Sequence, residues 1–203
     1  MKLQLMPNHL RPMALRVAKH EAGHFIVGRV HGFWCGDCSA TIVHANGAYH
    51  GGADIKLACS LTSLEDVRGY LERRIQVLYA GAVAESLTSL GKVDNQIAID
   101  RLKSAAKDDY SKARELIQLV RSIQHPECKS EPEWQAQLNE IDSKMWNAAA
   151  VCVEAEHELI QGVAERLTDE LMGAGLGATA TLRAEEVNSM PAIVDRFGAD
   201  PKP

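Results

Sequence analysis

Two histidines and a glutamate lie close together near the start of the chain, in the segment His20-Glu21-Ala22-Gly23-His24. Residues four apart on an α-helix share one face, so the imidazoles of His20 and His24 can reach a single metal ion. Glu21 projects from the adjacent side of the helix, where it can contact a water molecule bound to that ion. Zinc lowers the pKa of such a water to about 7, and a neighbouring carboxylate can take its proton. The spacing therefore predicts a zinc site that hydrolyses peptide bonds with Glu21 as the general base.

A catalytic zinc site needs a third protein ligand and keeps one position open. The third histidine of the metzincin pattern would stand at position 30, which is Val30 here, and His31 is one residue out of register. A carboxylate from a later helix is therefore needed. Glu85 has a second open role, as the hydrogen-bond acceptor of a zinc-ligating histidine. The candidates for the third ligand are Glu65, Glu72, Glu85, Asp108 and Asp109.

The elements around the motif have the spacing that this chemistry needs. Apolar residues recur at three- and four-residue steps over 12–31, which predicts one helix that carries the motif. Two extended segments, 39–44 and 51–58, flank an Asn46-Gly47 turn signal and predict a β-hairpin. Further helices are predicted from Thr62 or Ser63 to about 90, over 95–123 with a break left open, over 132–172, and after a capping Thr181. The predicted fold class is mainly α, an array of helices with one small β-hairpin.

The length of the chain, 203 residues, favours one domain. Within it we expect an N-terminal tail over 1–11 and a C-terminal tail over 191–203. A linker between two helical halves is predicted over 124–132, because that stretch combines two prolines with mixed charge.

Composition excludes several classes of protein. The net charge is −5 and no dense run of Lys and Arg occurs, so we expect no nucleic-acid partner. The longest apolar stretch, 75–84, is too short to cross a bilayer, and the N-terminus lacks the apolar segment of a secretory signal. An odd number of cysteines, five, argues against a disulfide framework and predicts a reducing, cytoplasmic location.

Cys35 and Cys38 form a lone C-x-x-C pair. A structural zinc site of the usual kind needs a second pair, and the other cysteines are not spaced as one. Two interpretations stay open: two reduced thiols in a loop, or a mixed zinc site completed by His31, His44 or His50.

The segment His20–His24 followed by Phe25-Ile26-Val27-Gly28 resembles the zinc helix of peptidase family M41, which contains the protease domain of the ATP-dependent FtsH proteases. Three further stretches are similar to that family. They are the strand region 40–52, the segment Arg74–Glu85 (similar to the family's RI…LAGRAAE helix) and the segment Ala105–Ala113 (similar to GA-x-N-D-(I/L)-x-x-A). The similarity touches about residues 14–190 and is close only in the histidine motif.

The resemblance implies an FtsH protease domain-like fold, a Zn²⁺ cofactor and Asp109 as the third zinc ligand. Two positions depart from the family pattern, since Ala82 replaces its Arg and Asp108 its Asn. No P-loop sequence occurs, so we expect a stand-alone peptidase domain that does not hydrolyse ATP itself. Its substrates would be peptides or unfolded proteins, delivered by a separate ATPase or adaptor where one exists.

Three functions remain open from sequence. The first is a zinc-dependent metalloendopeptidase with His20, His24 and Asp109 on the metal and Glu21 as the catalytic residue. The second is a zinc-stabilised binding or regulatory module that does not cleave, and the third is hydrolysis of a non-peptide amide. For the first function, the strand edge at 51–56 is a candidate platform for an extended substrate.

Overall fold

The computed structural model describes residues 6–45, 48–127 and 130–198, and within these ranges eight α-helices surround a small antiparallel sheet. The elements are α1 (Arg11–Val30), β1 (Trp34–Ile42), β2 (Tyr49–Lys56), α2 (Leu64–Glu85), α3 (Asn95–Lys103), α4 (Lys107–Gln124), α5 (Glu131–Ala155), α6 (His157–Ala174), β3 (Thr179–Leu182), α7 (Ala184–Asn188) and α8 (Pro191–Phe197). The mainly α fold class predicted from sequence is confirmed. No helix in these ranges has both the length and the apolar content needed to span a bilayer.

Helix α1 carries the histidine motif through the interior of the protein. It packs against α2, α6 and the sheet, and its residues from Val17 onward are almost all buried. A helix that is enclosed on all sides needs small residues where its neighbours come close. Gly23 meets that need, because a Cβ atom there would lie only 2.6 Å from the carbonyl oxygen of Ala80 on α2. The motif is therefore held tightly against α2.

In the part of the chain that the structure describes, the sheet has the strand order β2-β1-β3, which makes β2 an edge strand. The predicted hairpin forms, with Ile42 opposite Tyr49, while the Asn46-Gly47 turn itself lies outside the described residues. Its first strand begins five residues earlier than predicted, so Cys35 and Cys38 lie in β1 and not in a loop. An irregular register between Cys35 and Cys38 turns both thiols inward under α1. There they donate weak S–H bonds, Cys35 to the carbonyl of Phe25 and Cys38 to that of Glu21.

The third strand corrects the sequence-based prediction around Thr181. Thr181 lies in β3 opposite Ser39, and the following helix α7 begins only after Arg183. A strand of four residues is too short for its alternation to stand out, and its partner β1 lies about 140 residues earlier in the chain. Its two apolar residues, Ala180 and Leu182, are buried, which is what fixes its register.

The predicted long helix over 132–172 is also wrong in one respect, because the chain breaks at Glu156 into α5 and α6. Helix α5 packs on α2 and α4, whereas α6 packs on α1. The apolar pattern continues across the break, so the sequence does not reveal it. Arg196 of α8 donates to both carboxylate oxygens of Glu156, and this helix occupies most of the segment expected to be a tail.

Helix α2 lies between two hydrophobic clusters. The α1 core, with Phe25, Ile26, Ile42, Val163 and Leu167 among its members, fills the space between α1, the sheet and α6. The α5 core, with Ile75, Tyr79, Ile117, Ile141 and Met145 among its members, lies between α2, α4 and α5. Because α2 contributes to both clusters, its position fixes α1 relative to α4. The candidate site lies where these three helices meet.

Candidate metal centre

Three side chains from two helices converge at the junction of α1, α2 and α4. The Nε2 atoms of His20 and His24 lie 3.0 Å apart. The Oδ2 atom of Asp109, in the first turn of α4, lies 3.2 Å from each of them. These residues form the one group within the described ranges whose ligand atoms could hold a metal ion.

The other carboxylates considered for the third ligand lie elsewhere. Glu65 pairs with Arg68 on the surface, Glu72 accepts a hydrogen bond from Gln124, and Asp108 is exposed. Glu85 contacts the opposite side of the His20 ring and not the point where the ligand atoms meet. Of the five candidates, Asp109 is therefore the one that the fold brings to the Nε2 atoms of both histidines.

Hydrogen bonds at the far side of each ring determine which nitrogen faces the site. Nδ1 of His24 lies 2.7 Å from the carbonyl oxygen of Val77, which can only accept, so this nitrogen carries the proton. Nδ1 of His20 lies 2.9 Å from Glu85 Oε1 and donates to that carboxylate. In the neutral rings, both Nε2 lone pairs consequently point at each other and at Asp109. This is the arrangement by which proteins orient zinc-ligating histidines.

Three electron pairs that face one point repel each other unless a cation lies between them. In the metal-free chain a proton takes that role. Burial lowers the pKa of His20, but hydrogen bonds with Asp109 and Glu85 and the charge of Glu21 outweigh it and raise the pKa to about 10. Burial raises the pKa of Asp109, but the charges and hydrogen bonds of the two histidines outweigh it and lower that pKa.

The donor set and its spacing fit a zinc ion. Two imidazole nitrogens and one carboxylate oxygen are typical of catalytic zinc, which leaves a fourth position open. Atoms at about 2.0–2.1 Å from a tetrahedral zinc ion are themselves roughly 3.3 Å apart. The 3.0–3.2 Å separations of the three ligand atoms are close to that value. The site therefore suits a small divalent cation without rearrangement of the helices.

Glu85 is the centre of a polar cluster behind His20. Its side chain is fully buried, and its Oε1 also accepts a hydrogen bond of 3.2 Å from the hydroxyl of Tyr49 on β2. Its Oε2 lies 3.7 Å from Nε of Arg16 and 3.6 Å from Nε of Arg101. These guanidinium groups offset the cost of burying the carboxylate charge. Glu85 thereby holds His20 in one orientation.

Glu21 is buried beside the ligand atoms and lines the same cleft. Burial raises its pKa, although the neighbouring charges of His20 and His24 oppose that effect. Gly51 on β2 faces the carboxylate so closely that a Cβ atom there would overlap it. A carboxylate with a raised pKa at the wall of a metal cleft is suited to take a proton and to return it.

Glycine is also required at the centre of α2. A Cβ atom on Gly81 would lie 2.6 Å from Nε2 of His24 and 2.7 Å from Nε2 of His20. The two rings thus pack directly on the backbone of α2. Gly51 begins the strand edge that the sequence predicts as a substrate platform, but no pattern in the sequence marks Gly81 or Tyr49 as part of the site. A glycine inside a predicted helix is the one signal of the close approach at Gly81.

The cleft, with a volume of about 150 Å³, lies between the edge strand β2 and the helices α2 and α4. No protein-family model matches the chain, and neither does any curated protein sequence. The resemblance to peptidase family M41 therefore stays a prediction from the motifs.

Proposed function

We propose that this protein is a zinc-dependent metallopeptidase of the M41 type that hydrolyses peptide bonds in peptides or unfolded proteins. The observation that carries the proposal is the convergence of His20, His24 and Asp109 with Glu21 at the wall of the same cleft. A purely structural metal site has no use for a buried carboxylate beside its open position.

In this proposal His20, His24 and Asp109 would hold Zn²⁺. When bound, the ion would act as a Lewis acid that polarises the peptide carbonyl and lowers the pKa of water. Glu21 takes a proton from the attacking water and then gives it to the leaving amine. Its burial favours the first step, because a raised pKa makes the carboxylate a stronger base toward the attacking water. Glu85 and the carbonyl of Val77 keep the two imidazoles aimed at the site.

The edge strand β2 supplies a binding surface for the substrate backbone. Among the described residues no strand pairs with its outer edge, and Gly51 and Gly52 place no side chains between that edge and the cleft. An extended peptide can add to such an edge through backbone hydrogen bonds, which give affinity without strong side-chain selection. A narrow cleft of this kind favours extended segments over folded proteins.

The proposal is tested with the Glu21→Gln variant, which keeps the shape of the side chain and removes the proton acceptor. We expect it to bind zinc at one equivalent by mass spectrometry of the metal, while its cleavage of unfolded casein falls by about 10²–10⁴-fold. Glu65→Gln is the matched control, because Glu65 is exposed on α2 and touches only Arg68. Chelator should abolish cleavage by the wild type.

Two outcomes would contradict the proposal. Normal cleavage by Glu21→Gln would exclude the mechanism. Intact casein with zinc bound to the wild type would instead favour a non-cleaving binding module.

A further inference from the structure

Two cations line the metal cleft. Arg74 lies on α2, three residues before Val77, whose carbonyl holds His24. Lys112 lies on α4, three residues after Asp109. Residues three apart on a helix share a face, so each cation lies one turn from a residue that builds the metal centre. Two separate helices therefore bring positive charge to the same cleft.

Neither cation is neutralised by the protein itself. Within 6–45, 48–127 and 130–198, no carboxylate lies at ion-pair distance from Arg74 or Lys112, not even Asp108 one turn before Lys112. Other arginines in this region do have such partners: Arg16 and Arg101 lie near Glu85, and Arg114 pairs with Asp142. The cleft thus holds two cations that no carboxylate of the described residues neutralises.

The charge balance of the cleft changes when the metal binds. Its lining contains two carboxylates, Glu21 and Asp109, and the two cations Arg74 and Lys112. A bound divalent cation therefore leaves the lining with a net charge of +2 while both carboxylates are ionised. Inside a cleft such a charge attracts anionic groups more strongly than on an open surface.

The helix contacts show at which end of the cleft Arg74 lies. Helices α1 and α2 run antiparallel, since Gly81 contacts both histidines and Val77 contacts only His24. Arg74 lies one turn before Val77 on α2 and is therefore beyond His24, on the side away from His20. Strand β2 runs along the same cleft, with Gly51 beside Glu21 and Ile55 beside Gly28, one turn past His24. Arg74 therefore lies toward the Ile55 end of β2.

We propose that Arg74 and Lys112 bind a carboxylate of the substrate near the scissile bond. This inference rests on the peptidase proposal. Four residues of extended chain, from Gly51 to Ile55, span about 13 Å. The bound carboxylate would therefore belong to a residue within about three positions of the scissile bond. It is either the side chain of Asp or Glu or the C-terminal carboxylate of the peptide.

The test measures binding separately from cleavage. Zinc-loaded Glu21→Gln protein is titrated into three fluorescent peptides of equal length, and anisotropy is recorded. The first has a Glu at its centre and an amidated C-terminus, the second has Gln in place of that Glu, and the third has the Gln sequence with a free C-terminus. The titrations are repeated with Arg74→Gln and Lys112→Gln added singly and together. Arg166→Gln and Lys144→Gln are the controls, because both remove an exposed charge outside the cleft.

We expect one of the carboxylate-bearing peptides to bind about tenfold more tightly than the amidated Gln peptide. A preference for the first peptide assigns the site to an acidic side chain, and a preference for the third assigns it to the chain terminus. The double variant should lose the preference, and the control variants should keep it. Equal binding of all three peptides, or a preference that survives the double substitution, would overturn the inference.

Cleavage by the wild type reports on the peptidase proposal alone. If the amidated Gln peptide is cut while all three peptides bind equally, the peptidase proposal stands and the carboxylate site is excluded. If none of the peptides is cut but the Arg74-dependent preference is measured, the carboxylate site stands as a binding site and the peptidase proposal fails.

Discussion

Helix α2 packs against a network of polar side chains on each of two faces. The hydrogen-bonding groups of these two networks are satisfied in different ways. On the face toward the α5 core, the hydroxyl of Tyr79 donates to Oδ1 of Asp142, and Arg114 donates to Oδ2 of the same carboxylate. Burial and this hydrogen bond raise the pKa of Tyr79. On the face toward α1, three ligand atoms point at one another, and in the metal-free chain they share only the proton that the raised pKa of His20 retains. The first network is closed and the second is open.

The difference separates a structural network from a site for a ligand. Asp142 has a partner for each of its oxygens, so nothing further is needed to stabilise it. The Nε2 atoms of His20 and His24 and the Oδ2 atom of Asp109 can be satisfied together only by a cation. Burial alone does not distinguish the two networks, because Tyr79 and the two histidines are all buried. The direction of the lone pairs does.

The largest effect on zinc affinity is expected when one of the three ligand side chains is removed. Asp109→Ala removes one of three ligands, and we expect the zinc dissociation constant to rise by on the order of a thousandfold and cleavage to be lost. Asp108→Ala, at the adjacent exposed position, is the control and should retain zinc. Calorimetry with zinc measures both. Equal affinities in the two variants would remove Asp109 from the site.

A smaller effect on zinc affinity is expected at Glu85, which contacts the side of His20 that faces away from the metal site. Glu85→Gln replaces the charged acceptor of His20 by a neutral one, and we expect zinc affinity to fall by about 10–100-fold. Asp142→Asn makes the same chemical change in the closed network. It should leave zinc affinity unchanged and lower the free energy of unfolding by about 1–2 kcal/mol. If both variants weakened zinc alike, the two networks would not be independent.

Glycines on α2 test how closely the rings pack on this helix. A methyl group at position 81 meets both imidazoles, so we expect Gly81→Ala to lower the free energy of unfolding by about 1–2 kcal/mol and to weaken zinc binding. Gly69→Ala on the same helix meets only the flexible end of Arg73. There the better helix propensity of Ala should stabilise the protein by about 0.5–1 kcal/mol. Urea unfolding of both variants measures the contrast, and stabilisation by Gly81→Ala would contradict it.

The smallest effect on zinc affinity is expected at Tyr49, whose hydroxyl donates to Glu85. Tyr49→Phe removes one hydrogen bond to Glu85, which keeps its contact with His20 and its neighbouring arginines. We expect zinc affinity to fall by only about two- to fivefold. Tyr70→Phe is the control, because the ring of Tyr70 packs on Phe33 away from the site. A loss above tenfold in Tyr49→Phe would assign Tyr49 a larger role than its geometry indicates.

Some elements could be predicted from sequence because they depend on local geometry. The helix around His20 and His24, the hairpin strands and the start of α2 at Ser63 all follow from periodicity, turn and capping signals. Ser63 indeed accepts a hydrogen bond from the backbone of Asp66. Strand β3 and the break at Glu156 could not be predicted, because each depends on contacts with distant parts of the chain.

The candidate site divides in the same way. The sequence by itself determined that His20 and His24 share one face of a helix with Glu21 beside them, because a five-residue motif needs only the pitch of that helix. It also narrowed the third ligand to a few carboxylates, among which the resemblance to peptidase family M41 predicted Asp109. Only the tertiary structure decided that Asp109 meets the rings and that Glu85 lies behind one of them, since these residues are 89 and 65 positions from His20. Their positions depend on how α2 and α4 pack against α1, and packing between distant segments is set by the whole core.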